Sequence, residues 1–224
     1  MHEVVVFLGP SLDPVRARAI LRARYCPPVK RGDVTRAVAE GARIIGIIDG
    51  VFFQDCSVGH REILAALRAG VSVVGASSMG ALRAAELDSL GMEGVGAVYE
   101  AYRSGELVAD DEVALIFDPE TYKPLSEPLV NIRSTLAEAE TQGVIDRHAA
   151  GVLLSAAQSL YFPERTYEAV CDLARTSLSP EVIAGFRAFA ASGAIDRKRK
   201  DAEAALLRIR EIAREKGIDD EPHD

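Results

Sequence analysis

The sequence predicts an α/β fold, a parallel sheet flanked by helices, followed by an all-helical C-terminal region. Short apolar runs without polar alternation at residues 4–8, 44–48 and 71–75 read as strands covered on both faces. Stretches with helical spacing separate them, which is the pattern of βαβ units. Beyond residue 131 every periodic stretch has helical spacing. The strand–helix alternation of the first hundred residues is Rossmann-like.

Each element has a local reason. A helix over 13–22 opens behind a possible N-cap Ser11 with Pro14 in its first turn, and one over 33–40 opens behind Gly32. Residues 61–67 carry Ile63, Leu64 and Leu67 at helical spacing, and a helix over 81–87 follows Gly80. Past Gly91 the pattern predicts a helix over 95–103 and a strand over 113–117, and then Pro119, Pro124 and Pro128 punctuate a loop. Helices are expected over 136–142, 146–160, 167–176, 182–191 and 196–216. The expected domains are 1–130 and 131–224, with a polar tail over 219–224.

Composition narrows the function. The 224 residues are 48% hydrophobic and 27% charged, ordinary for a folded chain. With 26 Lys and Arg against 34 Asp and Glu, the net charge of -8 gives no general attraction for nucleic acid or anionic lipid. Cys26, Cys56 and Cys171 are far apart and odd in number, which fits a reducing cytoplasm better than a disulfide framework. The first residues lack the basic region of a leader, and no apolar run is long enough to span a bilayer.

In a parallel sheet, ligands gather where strands end and helices begin. Gly9-Pro10-Ser11, Asp49-Gly50 and Gly75-Ala76-Ser77-Ser78-Met79-Gly80 should share that rim, with His60 starting the helix that leaves the Asp49 loop. A serine between strand and helix with small residues two before and two after it meets the steric demand of a nucleophile elbow. Ser78 would then be the nucleophile, His60 the general base, and Asp49 or Asp55 the orienting acid. The N–H groups of Met79 and Gly80, beside Ser77, would stabilise an oxyanion. The plain alternative is that Gly and Ser only make a tight turn and cap a helix.

Other motifs fall away. Gly75 and Gly80 have the separation of a phosphate loop, yet Ala81-Leu82 replaces the Lys and Ser/Thr that such a loop needs. Gly91, Gly94 and Gly96 lack dinucleotide spacing, and no Cys/His set has zinc spacing, so neither metal nor cofactor is expected. Asp110-Asp111-Glu112 reads as a solvated turn, a divalent-ion site or the acid of the triad. Cys56 with His60 is a weaker thiolate alternative. Arg197-Lys198-Arg199-Lys200 reads as a solvated face or a partner contact.

Several stretches resemble the TfuA-like family: Pro27 through Asp33; Ile47 through Phe52 running to Val58 through Leu64; Gly75 through Glu86; Gly91-Met92 through Ala114; and Glu127 through Arg133. The resemblance covers about residues 3 to 133 and is most specific at Gly75–Glu86. It implies a cytoplasmic partner of a YcaO-type, ATP-dependent cyclodehydratase in peptide-backbone thioamide formation. Such a protein would recruit a ThiS-like sulfur carrier and hydrolyse its C-terminal thiocarboxylate, releasing sulfide. Arg31, Asp33, Arg83 and Glu86 match the family, and Arg31 would grip the carrier's tail. Arg83 and Glu86, at i and i+3, would otherwise pair on their helix. Ala109 stands where the acidic stretch usually begins with a further aspartate, and Gly59 where a larger residue often precedes the histidine. The competing expectation is a binding module that activates the YcaO enzyme without chemistry. Variants of the site have Asp111 in place of Asp49, or His60 activating water directly.

Overall fold

The computed structural model describes residues 3–52 and 56–218. Asp55, the other orienting acid considered, lies outside the described residues, as do His2, His223 and residues 219–224. Two compact units emerge: residues up to Asp110 together with those from Lys198 onward, and Asp111–Arg197.

The first unit is an α/β layer structure. Five parallel strands, β1 (Val4–Phe7), β2 (Arg24–Cys26), β3 (Ile44–Ile47), β4 (Ser72–Ala76) and β5 (Glu93–Val95), stand in the order β2-β1-β3-β4-β5. That is the doubly wound, flavodoxin-like order, in which the winding reverses between β1 and β3. The helices between strands are α1 (Pro14–Ile20), α2 (Asp33–Ala39), α3 (His60–Arg68) and α4 (Met79–Leu87), with α5 (Ala97–Ser104) after β5. The apolar runs became β1, β3 and β4 because burial on both faces rewards unbroken Val and Ile. β2 and β5 escape the sequence reading because each is a three-residue edge strand without an apolar run.

The C-terminal helix belongs to this unit. Along α10 (Arg197–Glu215), Ala202, Ala205, Leu206, Ile209, Ile212 and Ala213 pack with Val4, Val6, Ile44 and Val74 in one buried cluster. A Cβ on Gly46 would come within 2.6 Å of Ile209 Cδ1, so the bare glycine lets α10 lie close on β3. Arg208 ties it to β5 through Glu93. The boundary expected near Asn131 is therefore not where the chain divides. The division falls at Asp110, and the sheet's last covering helix is supplied from the end of the chain, something periodicity cannot reveal.

The second unit holds α6 (Leu129–Thr141), α7 (Arg147–Ser159), α8 (Tyr167–Ala174) and α9 (Pro180–Gly193) around Ile132, Leu136, Leu153, Val170 and Phe186. The strand expected over 113–117 does not form. A 3-10 turn, Asp110–Glu112, precedes it, and only an isolated bridge joins Phe117 to Pro124. No described helix is long and apolar enough to cross a membrane.

Candidate functional site

The rim at the carboxyl ends of β1, β3 and β4 carries a buried polar line. Asp49, 2% exposed at the end of β3, accepts hydrogen bonds at Oδ2 from Gly9 N–H (2.9 Å) and Ser11 N–H (3.1 Å). Its Oδ1 accepts from the Ser11 hydroxyl at 2.6 Å. The Ser77 hydroxyl in turn donates to Ser11 Oγ at 2.9 Å. Lys198 Nζ, equally buried, stands 3.9 Å from Asp49 Oδ1. Three strand ends and the first turn of α10 thus converge at the β1/β3 reversal, the place where doubly wound sheets bind ligands. Burying this many polar groups costs several kcal/mol unless they are mutually satisfied, and here the two charges offset each other.

The turn between β4 and α4 supplies strain. Ser77 has φ 67°, a left-handed conformation that non-glycine residues rarely take. Ser78 N–H donates back to Ala76 O at 2.7 Å, closing a tight γ-turn centred on Ser77. The flanking glycines are required by packing: a Cβ on Gly75 would lie 2.2 Å from Gly80 O, and one on Gly80 would lie 1.7 Å from Ile47 O. Gly75 and Gly80 therefore let α4 sit directly on β3 and β4. The chain turns sharply here, and its strained residue is Ser77, one position before the expected Ser78. Ser78 is the residue before α4, 2% exposed, and its side chain does not cap the helix.

The expected triad does not assemble around Asp49. His60 is 48% exposed and places Nε2 2.7 Å from Glu86 Oε2. Glu86 also takes Arg83 Nη1 at 2.6 Å, while Arg83 Nε donates to Val58 O at 3.1 Å. Ser78 and Glu86 are eight residues apart, about 12 Å along the helix axis, so the partner of His60 stands two turns along α4 from the serine turn. The i, i+3 pairing of Arg83 with Glu86 is realised. Of the expected oxyanion donors, Gly80 N–H is taken by Ile48 O at 3.3 Å, whereas Met79 N–H lies in the first turn of α4, where helices have no internal acceptor.

The remaining candidates have separate roles. Arg31 is exposed, and its N–H donates to Cys56 O at 2.8 Å. Asp33 shapes its own loop, accepting from Lys30 N–H at 2.9 Å and pairing with Arg36 at 3.2 Å. Asp111 belongs to the second unit. It pairs at 3.0 Å with Arg165, whose wholly buried guanidinium also donates to Ala157 O, Leu160 O and Asp111 O. Glu112 takes Arg133 in a two-pronged pair. The acidic run is a turn whose first residue, Asp110, is exposed while the other two anchor arginines.

A family model described as TfuA-like protein matches residues 49–166, more than half of the chain. The chain belongs to the TfuA-like family. No curated protein matches it. The match opens at Asp49 and takes in the turn between β4 and α4, while Ser11 and Lys198 of this TfuA-like protein lie outside it. Sequence reasoning missed both. Ser11 reads as a helix cap, but Asp13 caps α1, accepting from Val15 and Arg16 N–H. Lys198 sits in a basic run that looks solvated. Only Ser11, in a Gly-Pro-Ser loop on the shared rim, left a signal.

Proposed function

We propose that this TfuA-like protein hydrolyses the C-terminal thiocarboxylate of a ThiS-like sulfur carrier, and that the sulfide released serves a YcaO-type cyclodehydratase in peptide-backbone thioamidation. The single observation behind this is the strained Ser77, wired through Ser11 to Asp49 beside Lys198. Strain at a turn and a buried charge pair are costly, and they persist where function uses them.

The residues suit acyl transfer to water. Ser77 Oγ attacks the thiocarboxylate carbon, forming a C–O bond. Its proton passes to Ser11 Oγ as the Ser11 proton moves to Asp49 Oδ1. Lys198 keeps positive charge beside Asp49, and Met79 N–H faces the developing negative charge. The C–S bond then breaks, and the sulfur leaves as HS⁻ with the proton that the relay hands back from Asp49. A water attacks the acyl-serine as its proton passes along the emptied relay to Asp49, Ser77 takes that proton back as the ester bond breaks, and the carrier departs as a carboxylate, its acid proton going to solvent. Ser77 is fully buried, so the slender chain end must part the loops after β1 and β3 to reach it. Ser78 stands beside it in the turn.

Sulfide release from a thiocarboxylated carrier protein tests this. Ser77→Ala should abolish it and Asp49→Asn should cost at least about a hundredfold, the usual worth of general-base catalysis; undiminished release by Ser77→Ala discards the mechanism. The burial of Ser77 favours a second reading, in which the crevice only docks the carrier or the YcaO enzyme. In that case Ser77→Ala leaves stimulation of the partner intact.

A further inference from the structure

Glu62 does more than cap its own helix. As the third residue of α3 it accepts Gly59 N–H at 3.0 Å, an ordinary capping-box bond that needs one oxygen. Yet both its oxygens also accept Gly32 N–H, at 3.0 and 3.2 Å, from the loop after β2, thirty residues away. Gly32, with φ 88°, precedes α2, and its own cap offers no side chain. The same loop is joined to the one after β3 by main-chain bonds. Val29 N–H donates to Asp49 O at 2.9 Å, Val51 N–H to Val29 O at 3.2 Å, and Arg31 N–H to Cys56 O at 2.8 Å. Residue 29 is therefore bonded to the backbone of the very aspartate that ends the relay, and the exposed Lys30 and Arg31 follow at once.

We infer that Glu62 is a positioning residue: it locks the loop after β2 to the loop after β3, and so fixes the cations Lys30 and Arg31 beside the crevice as a recognition edge for an anionic chain end. This rests on the thiocarboxylate reading above and adds what sets affinity for the substrate. A capping role alone predicts a different outcome. Gln at position 62 keeps one acceptor oxygen, which at the Oε1 place still takes Gly59 N–H at 3.0 Å and Gly32 N–H at 3.2 Å, but it loses the negative charge and the shorter bond, 3.0 Å, from Gly32 N–H to Oε2. Capping would survive Glu62→Gln, whereas the link between loops would be weakened.

The test measures sulfide release from the thiocarboxylated carrier, with calorimetric binding of its carboxylate form and thermal unfolding alongside. Glu62→Gln should raise KM and weaken binding about tenfold, the loss of a hydrogen bond to a charged group, while kcat changes by less than about twofold. Lys30→Ala/Arg31→Ala should reproduce that KM rise, and adding Glu62→Gln to the double variant should raise it little more. If Glu62→Gln leaves KM and binding at wild-type values, Glu62 is a cap only and the inference is overturned. If KM rises merely in step with lost thermal stability, it is overturned as well. Ser77→Ala run in parallel separates the two ideas: sulfide release that survives it sinks the hydrolase, whereas the binding change of Glu62→Gln is read independently of turnover.

Discussion

Asp49→Asn removes one negative charge from a place where nothing else in the relay can replace it. Lys198 Nζ lies 3.9 Å from Oδ1, and both side chains are 3% exposed. At an effective dielectric of about 20 that attraction is about 4 kcal/mol, and breaking buried pairs by removing one partner costs about 3–5 kcal/mol. Asparagine also cannot satisfy the donors. If its oxygen takes Gly9 and Ser11 N–H, its amide faces the Ser11 hydroxyl and the lysine; if reversed, two backbone donors meet a donor. The variant should lose about 3–5 kcal/mol in urea unfolding, with sulfide release falling at least about a hundredfold. Asp49→Asn/Lys198→Met removes both charges and should recover at least about 2 kcal/mol of that loss without recovering release. A single variant costing under about 1 kcal/mol would refute the claim that the pair is energetically coupled.

Ser77→Gly should unfold with a stability about 1 kcal/mol above Ser77→Ala, because glycine accepts φ 67° and alanine does not. His60→Ala should leave kcat/KM for sulfide release within about twofold, since its exposed partner is Glu86; a hundredfold loss would restore the histidine to the mechanism. Gly80→Ala should give no soluble folded protein, as its Cβ would overlap Ile47 O, and expression with circular dichroism checks this. Burial raises the Cys26 and Cys171 thiols above their ordinary range, so less thiolate is present at a given pH. Alkylation of the half-buried Cys26 by iodoacetamide should rise with pH along a curve displaced to higher pH than that of a free thiol, while the wholly buried Cys171 should stay unmodified in the folded protein, read by peptide mass mapping.

The rim was legible because its parts are local. Gly9-Pro10-Ser11, Asp49-Gly50 and Gly75–Gly80 each follow an apolar run, and parallel strands put all their carboxyl ends on one edge. The assignment of roles was less legible. Spacing alone does not say which of Ser77 and Ser78 takes the left-handed turn, and the structure gives it to Ser77. His60 starts α3 as expected, but the side of α3 on which it stands faces Glu86 of α4. Asp111 looked like an acid for the site, and its pairing with the distant Arg165 had no sequence signal.

What the chain's order of residues determined is the α/β layering and the turn that bends sharply between β4 and α4. Both follow from interactions within a few residues: apolar runs, helix starts and glycines without side chains. Tertiary structure alone decided that Ser11, Asp49, Ser77 and Lys198 form one line. Lys198 is 149 positions from Asp49, and they meet because α10 returns to lie on the sheet face opened by Gly46. Hydrogen bonds and charge pairs act over a few ångströms of space, whatever the separation along the chain, so their partners appear only once the layers have packed.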